Sequence, residues 1–193
     1  MSVPYPPAES PSPQPTDNLL LRNLAAGDRQ AGEELVRRSY AMIYRSLLRL
    51  CGGQEDLAAD LSQETYRRAW AALKDFDGRS RFSTWLYRIA YRCFLNHLRR
   101  PRKLVPIGDE LARKSAVLTP GPEEQATQNQ QEERLRKAVL ELPEPLGETI
   151  TARYWGEISV REIAIADGIS EVAVRKRLRK AIALLRKHLE VAS

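Results

Sequence analysis

Arginine and aromatic side chains alternate on one face of a helix predicted to begin near Phe82. When successive residues are placed about 100° apart, the outward positions are Arg88, Tyr91, Arg92, Leu95 and Arg99. Arginine contacts phosphates and aromatic rings stack on unpaired bases, so this face suits a nucleic acid. The structural alternative is that the aromatic residues lie mostly in the core, namely Trp85, Tyr87, Tyr91 and Phe94.

A second candidate for DNA contact is the stretch from Arg175 to Lys187, which contains no acidic residue. Its outward side chains are Lys176, Arg179, Lys180 and Lys187, with Arg175 and Arg186 on one flank. Ser159, Glu162 and Gly168 precede it with the capping box and turn of a helix-turn-helix. A purely structural helical hairpin is the alternative, and the acid-free basic face favours a DNA reader.

A third face is acidic and carries a tryptophan. Its residues are Asp56, Asp60, Gln63, Glu64 and Trp70. A large ring among polar groups forgoes the burial it could gain in the core, so Trp70 indicates a docking surface. The alternatives are a solvated helix face and a metal site built from Asp60 and Glu64. Because the two histidines fall in other helices and no ligand cluster appears, we expect neither a metal nor a cofactor.

Helical periodicity positions all three faces and predicts an all-α protein of two small domains. Residues 1–16 hold six of the twelve prolines and predict a disordered tail. Residues 17–100 form the first predicted domain. Residues 101–122 are punctuated by Pro and Gly and predict a flexible linker, long enough to let two domains sit apart. Residues 123–190 form the second domain.

The charge and composition of the whole chain indicate what kind of partner it binds and where it is located. The 193 residues carry a formal charge of +6, which favours a polyanionic partner. No apolar run approaches the roughly 20 residues needed to span a bilayer, so no direct membrane insertion is expected. With no secretory signal and with Cys51 and Cys93 in or beside helical segments, we expect reduced thiols and a cytoplasmic location.

Several runs at fixed spacing resemble one bacterial family. They are Asp60-Leu61-x-Gln63-Glu64, Phe76-Asp77-Gly78, Phe82-x-Thr84-Trp85-Leu86-Tyr87-Arg88-Ile89-Ala90, Leu142-Pro143 and Glu162-Ile163-Ala164. In these residues the chain resembles sigma-70 factors of the extracytoplasmic-function (ECF, group IV) class, and the likeness extends from about Asp17 to Leu189. It implies that residues 17–100 are region 2, that residues 123–190 are region 4, and that the protein is not an enzyme.

The resemblance assigns partners to the three faces. The acidic face with Trp70 would dock on the clamp of the RNA polymerase largest subunit, and region 4 would contact the polymerase flap. The −10 promoter element would be read by Phe76, Gly78, Arg79, Ser80, Arg88, Tyr91, Arg92 and Arg99, and the −35 element by Arg175, Lys176, Arg179 and Lys180. Many relatives are also held inactive by an anti-sigma factor, which the resemblance adds to the expected partners.

The chain departs from the family pattern at four places. Arg92 stands where many members have Asn, and Val172-Ala173 replaces Gly-Thr at the start of the −35 helix. Ile182 and Gly147 each stand in place of an arginine. The last three changes remove potential phosphate contacts, so we expect weaker DNA binding by region 4. Two other functions remain as alternatives: a stand-alone helix-turn-helix regulator and a metal-dependent hydrolase of the helical carboxylate type.

Overall fold

The computed structural model describes residues 16–99 and 122–191, and gives only the backbone of residues 122–129 and 191. These residues form eight α-helices and a short 3-10 turn at Leu73–Asp75, with no strand in either range. The helices are α1 (Asp17–Ala25), α2 (Arg29–Leu50), α3 (Glu55–Ala71), α4 (Phe82–Arg99), α5 (Pro122–Leu140), α6 (Glu144–Tyr154), α7 (Val160–Asp167) and α8 (Glu171–Val191). The predicted all-α class is confirmed, with α1–α4 as the first domain and α5–α8 as the second.

The first domain is a bundle in which α2, α3 and α4 each bury one apolar stripe. The most deeply buried residues include Leu35, Ile43 and Leu47 of α2, Ala58, Thr65 and Ala69 of α3, and Phe82, Leu86 and Ala90 of α4. Fully burying one large apolar side chain contributes about 1.5–3 kcal/mol. This core therefore determines which faces of α3 and α4 are left to point outward.

Capping residues determine where several helices begin and end. The carboxylate of Asp28 accepts hydrogen bonds from two backbone N–H groups in the first turn of α2. Ser159 and Glu162 form a reciprocal capping box at the start of α7. Gly168 ends α7 at a φ of 65°, where a β-carbon is unfavourable. The turn leads into α8, whose Val174 is fully buried, and this arrangement is the predicted helix-turn-helix.

The two domains pack against each other. Helices α6 and α7 contact α4. The Ser46 hydroxyl of α2 donates to the carbonyl oxygen of Trp155 at 3.0 Å. Arg136 of α5 donates to the carbonyl oxygen of Leu50 at 3.2 Å. The predicted linker is long enough to let the two domains sit apart, and in this structure they share an interface, which we call the closed arrangement.

Parts of the predicted organisation lie outside the described residues, namely the tail up to residue 15 and residues 100–121 of the linker. Thr16, predicted as the last residue of the tail, instead caps α1 and accepts a hydrogen bond from the backbone N–H of Leu19 at 3.4 Å. Pro122, predicted as the last residue of the linker, begins α5.

The two cysteines, Cys51 and Cys93, are free thiols, and both are buried. Burial raises the pKa of the Cys51 thiol to about 11, which keeps it protonated and unreactive near neutral pH.

Within the two described ranges, no helix combines the length and apolar character that crossing a membrane requires.

Candidate docking and nucleic-acid interfaces

The predicted docking face lies on α3 and is accessible. Asp56, Asp60 and Gln63 are exposed, and Trp70 at the end of the helix is 37% exposed. Glu64 is partly buried because it pairs along the helix with two arginines, Arg67 at 2.7 Å and Arg68 at 2.6 Å. Hydrogen bonds from Arg67 and Arg68 lower the pKa of Glu64 to about 2. Its carboxylate therefore remains charged at any physiological pH.

Trp70 forms one wall of an open groove that is bordered by α1, α2 and α3. Its ring stacks on Phe82, with centroids 6.3 Å apart and planes inclined by 20°. The groove encloses about 750 Å³ and is lined by Leu24, Arg29, Gly32, Glu33, Val36, Arg37, Tyr40 and Trp70. An exposed aromatic ring beside an apolar groove with a charged rim is the usual arrangement of an interface anchor.

The α2 side of this groove was missed by the sequence analysis. Tyr40 is 44% exposed, although its ring stacks on Tyr44 and Tyr66. Val36 and Tyr40 are four residues apart on α2, outside the apolar stripe that faces the core. The sequence does contain a signal for this side of the groove. It is a second apolar stripe at helical spacing on a helix that already has one.

A loop and an aromatic cluster precede α4. Phe76 lies 6.1 Å from Phe82 and 5.1 Å from Trp85 between ring centroids, so its ring is partly buried. Gly78 turns the loop at a φ of 71°. Arg79 after it is exposed, as Gly78 is, while the following Ser80 is partly exposed. Of the loop residues predicted to contact DNA, Phe76 and Ser80 are therefore less accessible than Gly78 and Arg79.

Tyr91 does not project into solvent as predicted. It is only 3% exposed because α6 covers this face of α4. A β-carbon added at Gly147 of α6 would lie 2.8 Å from the Tyr91 hydroxyl oxygen. Burial raises the pKa of Tyr91 well above its usual range. The structural alternative is thus correct for Tyr91 in the closed arrangement, where the second domain completes a core around it.

Arg88 of α4 faces acidic residues of the second domain. It lies 3.4 Å from Glu148 of α6 and 3.8 Å from Asp167 of α7. Burial raises the pKa of Glu148 even though Arg88 opposes the shift. Arg92 and Arg99 remain exposed beside this contact. The predicted strand-holding surface is therefore divided, with Tyr91 covered, Arg88 partly covered, and Arg92 and Arg99 at the margin.

The basic face of α8 is accessible in the same arrangement. All four predicted contacts are exposed, namely Arg175, Lys176, Arg179 and Lys180. They lie opposite Val174 and Leu178, which are buried in the second domain. Arg175 pairs with Glu171 one turn earlier at 2.7 Å, so part of its charge is already neutralised. Lys176, Arg179 and Lys180 are left as the more available phosphate or base contacts.

One member of the acidic pair weighed as a metal site is already ion-paired within its own helix. The Glu64 carboxylate is engaged by two guanidinium groups, which compete with any cation. Across the two described ranges, no group of three or more His, Cys, Asp or Glu residues could hold a metal ion. The α3 face thus presents acidic and polar groups beside one exposed aromatic ring.

Two domain families match the chain. Sigma-70 region 2 matches residues 35–104, and Sigma-70, region 4 matches residues 132–185. The RNA polymerase sigma factor CnrH of Cupriavidus metallidurans is 31% identical over 189 residues, which cover 94% of this chain and 98% of CnrH. The ECF RNA polymerase sigma factor SigW of Bacillus subtilis is 27% identical over 177 residues, covering 88% of this chain and 94% of SigW.

Solved structures share the fold. The structure of CnrH in complex with the cytosolic domain of CnrY has a TM-score of 0.62 at 25% identity and covers 92% of this chain and 99% of that one. The sigma factor RpoE from Bartonella quintana, solved in complex with the anti-sigma factor NepR, has a TM-score of 0.51 at 22% identity. That match covers 86% of this chain and 99% of RpoE.

Proposed function

Because this chain belongs to the sigma-70 family, in its extracytoplasmic-function class, we propose that its three surfaces divide polymerase docking, promoter opening and upstream recognition among them. The chain is a sigma factor that directs core RNA polymerase to promoters. The observation that carries the division is the presence, in one chain, of an exposed acidic face with Trp70 and an exposed basic face on the helix-turn-helix. A DNA reader acting alone has no use for the first of these.

The α3 face binds the clamp of the polymerase largest subunit. Asp56, Asp60, Gln63 and Glu64 supply polar contacts around Trp70, and the groove beside Trp70 receives an apolar side chain of the clamp. A central aromatic anchor with a polar rim is where binding energy concentrates in interfaces. The second domain contacts the flap region of the polymerase, which places the two domains on separate parts of the enzyme.

The loop before α4 and the outer face of α4 read and open the −10 element. Phe76, Gly78, Arg79 and Ser80 border the site of an extruded base. Arg88, Tyr91, Arg92 and Arg99 hold the unpaired strand by phosphate contacts and stacking. Reading a base by its edge and face requires taking it out of the duplex, and an aromatic ring beside arginines suits that task.

The basic face of α8 reads the −35 element in the major groove. Lys176, Arg179 and Lys180 are its available cations, and Arg175 joins them when its pair with Glu171 opens. Gly147 and Ile182, which stand in place of arginines, supply no phosphate contact. Region 4 of this chain therefore binds DNA more weakly on its own and depends on the polymerase to bring it to DNA, because these two positions supply no phosphate contact.

An anti-sigma factor belongs among the partners. The matched structures of CnrH and RpoE were solved with CnrY and with the anti-sigma factor NepR, respectively. The sigma factors of this family are in general not enzymes, and we assign no catalytic residue. We place the protein in the cytoplasm, where its polymerase and promoter DNA are found.

The test is promoter selection with reconstituted polymerase. Core RNA polymerase is incubated with the chain and a library of DNA fragments carrying random −35 and −10 segments, and transcribed fragments are sequenced. We expect enrichment of one upstream and one downstream element at a fixed separation. The chain without polymerase should enrich neither element at physiological salt.

Two single-residue variants test which surface determines each result of the selection. Gln63→Ala removes a contact of the docking face and should lower the yield of transcribed fragments without changing their sequence. Lys176→Ala should change the enriched upstream element. Enrichment by the chain alone would instead identify the stand-alone regulator, and a transcript yield independent of added chain would contradict the sigma-factor assignment.

A further inference from the structure

Val172 is the most exposed large apolar side chain in the part of the chain that the structure describes, with 67% of its surface open to solvent. It lies in the first turn of α8, directly after Glu171. A β-branched side chain lowers helix propensity and gains little burial at this position, so the fold of the second domain does not explain it. Val172 also belongs to the Val172-Ala173 pair that departs from the family pattern, and the basic residues assigned to the −35 element leave this pair without a role.

The outward face of α8 places Val172 in one row with two cations. The buried stripe of the helix consists of Val174, Leu178, Ala181 and Leu185. At about 100° per residue, Val172, Lys176 and Arg179 lie on the side of the helix opposite that stripe. All three side chains are exposed. The row therefore begins with an apolar side chain and continues with two positive charges.

The two carboxylates that flank the turn between α7 and α8 are paired with arginines of α8. Glu171 pairs with Arg175 at 2.7 Å, and Asp167 pairs with Arg177 at 2.7 Å. Pairing reduces the repulsion that these carboxylates exert on approaching phosphates, because each negative charge has a positive charge beside it. Val172 can therefore approach a DNA groove whose phosphate walls are attracted by the cations of the same helix.

The chemistry of the row matches the edges of base pairs in the major groove. Lysine reads guanine through its O6 and N7 acceptors, and an apolar side chain reads the C5-methyl group of thymine. In a helix-turn-helix, the first residues of the recognition helix are the ones that contact base edges. Val172 and Lys176 are separated by about 6 Å along the helix axis, and stacked base pairs repeat about every 3.4 Å. The two side chains therefore reach bases that are one or two pairs apart.

We propose that Val172 reads the C5-methyl group of a thymine in the −35 element, one or two base pairs from a guanine that Lys176 reads. This inference rests on the proposed −35 role of α8 and adds a specificity-determining residue to it. In the Val172-Ala173 pair neither side chain can donate a hydrogen bond to a phosphate, and Val172 contacts a base instead. A phosphate contact carries no information about sequence, so this exchange makes α8 more selective relative to its affinity.

Replacement of thymine by deoxyuridine isolates the proposed contact, because it removes the C5-methyl group and leaves base pairing unchanged. Core RNA polymerase loaded with the full chain is titrated onto fluorescein-labelled promoter fragments, and binding is followed by fluorescence anisotropy. The fragments carry the −35 element enriched in the promoter selection, with each thymine of that element replaced in turn. Burial of one methyl group corresponds to about 4-fold in affinity. We expect a loss of about that size at one thymine, next to or one pair removed from an enriched guanine.

Val172→Ala tests the same contact from the side of the protein. Val172 is exposed and alanine is the better helix former, so the variant retains its fold. Because the shorter side chain does not reach the methyl group, Val172→Ala should bind the thymine and deoxyuridine fragments equally well. Ile165→Ala is the matched control, since Ile165 is also an exposed aliphatic residue of the helix-turn-helix but lies on α7. This control should keep the preference of wild type for thymine.

The outcomes separate the inference from the function on which it rests. Equal affinity of wild type for thymine and deoxyuridine at every position would overturn the inference, as would the same preference in Val172→Ala and wild type. If Val172→Ala weakens assembly with core polymerase and keeps the preference for thymine, Val172 contacts protein and the inference is wrong. An enriched −35 element without thymine would contradict the inference and leave the −35 role of α8 standing. Enrichment of no upstream element at all would refute that role, and the inference with it.

Discussion

Trp70→Ala tests the docking surface most directly. About two thirds of Trp70 is already buried against its own domain, and 37% is exposed. A large aromatic side chain buries at most roughly 250 Å², so a partner can cover about 90 Å² more. At about 25 cal/mol per Å², that area contributes about 2 kcal/mol, or roughly 30-fold in affinity. We expect titration of a dye-labelled chain with core RNA polymerase to show this loss.

Trp70→Ala should also destabilise the free protein, and this loss must be measured separately from the loss of binding. Trp70 stacks on Phe82 of the core, so its removal should lower the free energy of unfolding by about 2 kcal/mol. Urea denaturation measures that loss independently of binding. Leu98→Ala is the matched control, because Leu98 is 49% exposed on α4 and does not line the groove. A folded Trp70→Ala chain with the polymerase affinity of wild type would refute the docking surface.

Two further predictions concern the α4 surface. Burial holds the pKa of Glu148 above its ordinary value of 4.5. The closed arrangement is therefore more stable below that value and loses stability as pH rises through the raised pKa. Energy transfer between dyes placed on the two domains should fall over that pH range in wild type and stay constant in Glu148→Gln. Tyr91→Ala should leave the closed promoter complex nearly intact and block opening, whereas Lys176→Ala should reduce promoter occupancy. A promoter with a pre-melted −10 bubble should then restore transcription to Tyr91→Ala more than to Lys176→Ala, and equal rescue of both would contradict the separate roles.

The helices and their outward faces could be predicted because they depend on local chemistry. Asp28 and the Ser159–Glu162 box stop and start helices through hydrogen bonds within a few residues, which sequence spacing reveals. The apolar stripe of α3 repeats at the helical period, and its residues pack into the core of the first domain. The exposure of Asp60 and Trp70 was therefore predictable from position alone.

The environment of Tyr91 could not be predicted in the same way. Helical spacing places Tyr91 opposite the apolar stripe of its own helix, whereas the structure leaves it only 3% exposed. What covers it is α6, more than fifty residues further along the chain, and no local pattern reports that contact. An arginine beside an aromatic ring looks the same in sequence whether its partner is a phosphate or a carboxylate. Gly147 was noted for a missing arginine, while its effect in the structure is to admit the Tyr91 hydroxyl.

The accessibility of each surface in the closed arrangement determines an order of events. A partner can shift a conformational equilibrium only by as much as it binds the two states differently. DNA alone has little to bind first, because Tyr91 is covered and Arg88 faces carboxylates. Polymerase can engage Trp70 and Asp60 while the domains are still packed. If the proposed roles of the three surfaces are correct, we expect clamp and flap binding to hold the two domains apart, so that strand capture follows docking.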